Sequence, residues 1–136
     1  MVVPKFRAWL KAEKQMIDVE FLDLSHKVLI GRHWEFGMTE AIKFDDVEIM
    51  QYTGLMDSSS PKKEIVVGDI VEYEDGEYDD IFYSRGIVEF IQGGINITNR
   101  ACVMLDDLLD GGTLEVKVIG NIYENPELVE EVGYGN

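Results

Sequence analysis

Residues 50–73 hold the pattern that most restricts how this chain folds. Met50-Gln51-Tyr52-Thr53-Gly54-Leu55-Met56-Asp57 runs into Ser58-Ser59-Ser60-Pro61-Lys62-Lys63, and Glu64-Ile65-Val66-Val67-Gly68-Asp69-Ile70-Val71-Glu72-Tyr73 follows. Two short apolar runs thus flank a polar, turn-forming loop. Gly68 supplies the backbone freedom of a sharp turn, and Asp69 can accept hydrogen bonds from nearby amides. The expected outcome is a tight turn feeding a long strand of a small β-barrel. Gly54 is expected to end the strand before the loop.

The rest of the chain repeats this grammar. Phe6–Leu10 and Gln15–Asp23 read as a first hairpin, with Val19 and Phe21 on one face and Asp18, Glu20 and Leu22 on the other. Val28–Ile30 is a strand ended by Gly31. Arg32–Thr39 has no clean period and reads as an ordered excursion, with Trp34 and Phe36 packing on the core. Glu40–Phe44 is a strand, and Val47–Thr53 places Val47, Ile49 and Gln51 opposite Glu48, Met50 and Tyr52. Ile70–Glu74 and Ile81–Ile91 are strands around an acidic hairpin loop, Asp75–Asp80. Gly86 suggests a bend or bulge. Ile95–Thr98 returns the chain after Gln92-Gly93-Gly94. The apolar spacing of Cys102–Leu109 is helical, ended by Gly111-Gly112. Leu114, Val116 and Val118 alternate inward with Glu115 and Lys117 outward, and Gly120 interrupts that strand. Asn125-Pro126 starts a last helical turn, with Asn as the cap.

The expected fold is therefore mainly β: a small β-barrel-like unit, SH3-like in its C-terminal half, with an N-terminal β-hairpin region and one or two short helices. The 136 residues suit one compact unit, with sub-halves 1–54 and 64–130 joined by loop 55–63. Each half alone buries little surface, so the two are expected to share a core. Hydrophobic residues at 46% suffice for one. No run approaches the roughly 20 apolar residues of a membrane span. The N-terminus lacks a signal-peptide layout, and the single cysteine, Cys102, fits a reducing compartment. These features point to a cytoplasmic protein with no membrane partner. The setting of Cys102 is apolar, that of a buried, inert thiol.

Several ordered motifs together resemble the YopX family of phage and prophage proteins. They are Phe6-Arg7-Ala8-Trp9, Met50-Gln51-Tyr52-Thr53-Gly54-Leu55 with Asp57, Lys63-Glu64-Ile65, Gly68-Asp69-Ile70-Val71, Gly86-Ile87-Val88-Glu89-Phe90 and Val118–Leu128. The resemblance spans about residues 5 to 130. It implies a small β-rich protein encoded by phages or prophages of low-GC Gram-positive bacteria, acting in the host cytoplasm. It carries over no activity and no catalytic residue. The chain departs from the family pattern at Asp57–Lys62, where members tend to have Asp, Lys, Asn and Gly, and at Val66-Val67, where they often show Tyr and Glu.

No constellation of residues points to catalysis, a cofactor or a metal. His26 and His33 lie seven apart without Cys or His partners at zinc spacing. Ser58–Ser60 lack the glycines of a nucleophile elbow, and neither glycine pair has P-loop spacing. Glu115 and Lys117 on one strand face, with Asp107 or Asp110, would suit a metal-dependent nuclease. An outward strand face that alternates its charges for solubility and cross-strand pairing is the favoured account of them, since nothing basic is gathered nearby to hold DNA. The net charge of −15 opposes binding to phosphate backbones, which requires clustered Lys and Arg. A basic cluster of Lys5, Arg7, Lys11 and Lys14, with Lys62 and Lys63, is the local exception.

What the sequence favours is a non-enzymatic protein-binding or adaptor module with a basic partner. Its candidate acidic surface is Glu72, Glu74, Asp75, Glu77, Asp79 and Asp80; Gly54, Gly68, Asp69 and Gly120 are structural turn residues. An acidic DNA mimic that inhibits a host nucleic-acid-binding protein is the alternative, with a metal-dependent nuclease or nucleic-acid-binding module behind it. Exposed sheet edges would also allow self-association.

Overall fold

Period-two alternation carries most of this chain into strands. The computed structural model describes residues 5–77, 80–91, 94–98, 103–104 and 115–131. In order they form β1 (Phe6–Leu10), β2 (Gln15–Asp23), β3 (Val28–His33), β4 (Thr39–Lys43), a 3-10 turn (Phe44–Asp46), β5 (Val47–Met56), β6 (Glu64–Val66), β7 (Asp69–Glu77), β8 (Asp80–Ile91), β9 (Gly94–Thr98), β10 (Val103–Met104), β11 (Val116–Asn121) and helix α1 (Pro126–Glu131). The fold is mainly β. One sheet has the order β4-β3-β2-β1-β5-β6 and the other β10-β9-β8-β7-β11. Neither order returns on itself, so the barrel-like expectation takes the form of two open sheets. The chain divides into two compact units, residues 1–52 and 53–136, and β5 runs through the boundary.

In the first unit, Ala8, Leu10, Ile17, Leu29, Ile42 and Val47 form the core, with Val19, Leu22 and Phe44 packed on it. Burying each of the larger aliphatic chains contributes roughly 1.5–3 kcal/mol. The hairpin of β1 and β2 follows the expected boundaries, but the facing of β2 does not. Val19 pairs with Gly31 and Phe21 with Ile30, leaving Glu20 as an extra residue. That bulge reverses the parity of the strand. Leu22, expected on the polar face, joins Val19 on the core, and Phe21 is 56% exposed.

Gly31 does not end β3, which continues to His33. A Cβ at Gly31 would lie 2.3 Å from Ile17 Cδ1. The glycine is there so that Ile17 can sit against the backbone. Trp34 and Phe36 do not reach the core; both are largely exposed in the turn between β3 and β4. The Trp34 indole N–H donates to Asp18 Oδ1 at 2.8 Å, and Arg32 donates to the Gly37 carbonyl and to Glu20. Polar bonds, not burial, order that turn. On β5 the sides alternate as expected, yet Met50 on the polar side is buried and Ile49 is part-exposed.

The second unit has a core of Ile65, Val71, Tyr73, Val88, Ile97 and Val116, joined by Leu55, Ile95 and Val118. A second cluster lies on the opposite face of β7 and β8, where Ile70 and Ile87 meet Ile119, Ile122, Leu128 and Val129. The centre of this sheet is therefore covered on both faces, and α1 supplies part of the cover. Gly86 makes no bulge, since β7 and β8 pair without a register shift. Its missing side chain admits Ile97, whose Cγ2 would lie 2.1 Å from a Cβ at that position. Val103 and Met104 pair with β9 as a strand, against the helix expected over 102–109; the rest of that segment, Cys102 included, lies outside the described residues. Helix α1 does begin at Pro126. The Asn125 side chain, however, accepts from the Asn121 N–H at 3.2 Å, turning back to β11 where a cap for the helix was expected. Among the described residues, no helix is long and apolar enough to cross a membrane.

Candidate functional site

The acidic run expected as a loop is a paired arm. β7 and β8 stay in register from Ile70 opposite Ile87 out to Glu77 opposite Asp80. Asp and Glu have low strand propensity, but pairing with Phe82, Tyr83, Ser84 and Arg85 decides the conformation here. Asp79 lies outside the described residues. Directly opposed residues of an antiparallel pair share a face. Outward from the Ile70/Ile87 core come Glu72 opposite Arg85, then Glu74 opposite Tyr83. Arg85 Nε donates to Glu72 at 3.1 Å, with both side chains about one-third exposed. Such a pair contributes at most about 1 kcal/mol, and it leaves Glu74 as the outermost described carboxylate on this face. Tyr83 beside it is 61% exposed, and Phe82, opposite Asp75, is 52% exposed. Two exposed aromatic rings on an acidic hairpin are the feature the sequence did not signal.

The loop after β5 is built around Asp57, a buried carboxylate only 2% exposed. Its Oδ1 accepts from the amides of Ser59 (3.1 Å) and Lys63 (2.7 Å). Its Oδ2 accepts from the Ser59 hydroxyl (2.6 Å) and the Val118 amide (3.0 Å). Burial pushes the carboxyl up; the bonds from Lys63, Ser59 and Val118 together outweigh that and hold it below the usual carboxylate range. Ser58 adds a second tie: its amide donates to the Val116 carbonyl and its Oγ accepts from the Val116 amide. The polar loop is thus a clamp between β5 and β11 of this unit, and its serines serve structure.

The turn residues have individual reasons. Gly54 has φ +79 and lies within β5, which continues to Met56; Thr53 Oγ1 accepts from the Leu55 amide beside it. Gly68 has φ +98, and its amide and carbonyl bond Val88 and Ile122. Asp69 Oδ2 accepts from the Val66 amide at 2.8 Å, closing the turn. Gly120 leaves room for Asn125, whose Oδ1 would be 2.5 Å from a Cβ there. Gly68→Ala should cost about 1–2 kcal/mol, because an L side chain resists a positive φ. A urea unfolding curve will show it as a lower midpoint at unchanged slope.

Glu115 and Lys117 pair with each other at 3.6 Å, and their nuclease partners Asp107 and Asp110 lie outside the described residues. His26 bonds Asp23 at the surface, whereas His33 is buried and its Nε2 is 2.9 Å from Glu40 Oε2. The N-terminal basic cluster is partly engaged within the first unit, while Lys14 is exposed. Lys5 sits over the Tyr52 ring, Arg7 is buried, and Lys11 pairs with Glu48.

A sequence model of the YopX protein family matches residues 5–130. The chain belongs to the YopX family. A solved structure similar to this YopX protein is that of protein EF1440 from Enterococcus faecalis. The two share 28% identity at a TM-score of 0.63, over 95% of this chain and 99% of that one. None of the curated proteins matches. The family match covers the clamp at Asp57, the Gly68-Asp69 turn and the acidic hairpin of this YopX chain alike.

Proposed function

We propose that this YopX protein is a non-enzymatic protein-binding or adaptor module, encoded by a phage or prophage and acting in the cytoplasm of the bacterial host. Its acidic β7–β8 hairpin holds a basic protein. The observation that carries this reading is the paired arm on which Glu74 opposes exposed Tyr83 and Asp75 opposes exposed Phe82. Aromatic rings anchor protein interfaces, and carboxylates around them steer a basic partner toward the ring. A paired arm also has less freedom to lose on binding than a loop of the same composition. The net charge of −15 extends the attraction beyond the arm.

The test is affinity capture from host cells with immobilised wild-type chain at about 0.1 M salt, where the screening length is ~10 Å. One enriched basic protein, released by raised salt and lost with the double variant Glu74→Lys/Tyr83→Ala, is the expected result. Equal capture by that variant, or no enriched protein, overturns the reading. The net charge also favours a second reading, an acidic DNA mimic. In that case duplex DNA competes the captured protein off the chain.

A further inference from the structure

We propose that Glu13, His33 and Glu40 form a site for one divalent transition-metal ion of the zinc class. The three residues come from three separate segments of the first unit: the turn between β1 and β2, the end of β3, and β4. One ligand atom from each lies within 4.8 Å of the other two. The imidazole is the fixed member. His33 is only 8% exposed, its amide donates to the Met38 carbonyl, and its carbonyl accepts from the Gly37 amide. Glu40 stands opposite Gly31, two positions along β3 from His33, which lets its carboxylate reach across to Nε2 at 2.9 Å. Glu13 is exposed in a turn closed by the Lys14 amide on the Leu10 carbonyl, with Lys14 at φ +55.

A hydrogen bond alone does not account for this grouping. The imidazole offers one proton at Nε2, and Glu40 already takes that position. A second carboxylate oxygen, that of Glu13, within 4.8 Å of both adds repulsion in a chain already at −15. A dication satisfies both carboxylates and the imidazole nitrogen together. Ligands of a tetrahedral zinc stand about 3.4 Å apart at Zn–N and Zn–O lengths near 2.1 Å. The Glu40 oxygen, now 2.9 Å from Nε2, opens slightly to that spacing, and the exposed Glu13 carboxylate closes to it by side-chain rotation. One nitrogen with two oxygens suits Zn²⁺ above Ca²⁺, which takes oxygen ligands in larger number. Three protein ligands leave a position open for water or for a group of a partner. The cysteine and histidine spacings that signal zinc in a sequence are absent, because carboxylates from two other segments complete the set.

The experiment is calorimetric titration of the chelator-stripped full chain with ZnCl₂, and separately with CaCl₂. Wild type should bind one Zn²⁺ equivalent, and Glu13→Gln and Glu40→Gln should each weaken it by about tenfold or more. Glu13→Gln carries the test, since this exposed side chain should leave the metal-free melting temperature unchanged. The triple variant with His33→Gln should retain only weak, multi-site uptake. Zn²⁺ binding by Glu13→Gln equal to wild type, wild-type binding no tighter than that of the triple variant, or a preference for Ca²⁺ overturns the proposal.

Discussion

Asp57→Ala should lower the unfolding free energy by about 3 kcal/mol or more, measured by urea unfolding at pH 7. The substitution removes the acceptor of three amides, those of Ser59, Lys63 and Val118. A buried donor left without a partner costs about 1–3 kcal/mol. Water can reach part of the exposed loop and regains some of that for Ser59, while the Val118 amide lies in a strand and regains less. Asp57→Asn keeps the shape and one oxygen but turns an amide group toward a donor, so it should lose about half as much as alanine. Hydrogen exchange at Val118 and Lys63 should accelerate in both variants. The same carboxyl sets a pH dependence. Its value in the folded chain is lowered, so its contribution is complete above the unfolded value of about 3.9 and fades as pH falls through the folded value. The stability gap between wild type and Asp57→Asn should therefore close below about pH 4. A gap that stays constant from pH 7 to pH 3 would show that the charge on Asp57 contributes nothing.

Gly86→Val should be the other severe substitution, costing about 3 kcal/mol, the upper end of what overpacking a core exacts. A Cβ at Gly86 would stand 2.1 Å from Ile97 Cγ2 and 3.2 Å from the Thr98 carbonyl oxygen. Ile97 is fully buried among Val71, Val88 and Val116, so it cannot swing aside without disturbing that core. A double-mutant cycle isolates the cause. Ile97→Ala alone should cost about 2–5 kcal/mol. Combined with Gly86→Ala it should cost less than the two losses added, since the new methyl group occupies the space the isoleucine vacates. Simple additivity would mean that Gly86 serves backbone freedom and not this contact.

How much of the molecule the residues disclosed depends on the range of the interaction. The hairpin of β1 and β2 was legible because its alternation and its turn are neighbours in the chain, between Phe6 and Asp23. The bulge at Glu20 was not, because an extra residue exists only relative to a partner strand. Gly31 and Gly86 read as punctuation along the chain, yet their reasons are Ile17 and Ile97, side chains on neighbouring strands. Asp57 looked like one more loop residue, although its bond to Val118 spans 61 positions and makes it a buried anchor. The pairing of Asp57 with Ser59 two residues on was the local signal available, an Asx-type turn. Composition placed the acidic run in a loop, and cross-strand partners made it an arm. His33 gave no sign of its company, because Glu13 and Glu40 reach it through the fold of three separate segments.

Under the proposed function a partner sits on the acidic hairpin. The decisive measurement places a photo-crosslinking amino acid at Tyr83 and, as a control, at Leu24, an exposed apolar position in the first unit. One discrete protein adduct from position 83 is expected on irradiation of host cells, absent from position 24 and suppressed by Glu74→Lys. The same adducts from both positions, or none from position 83, would contradict that placement.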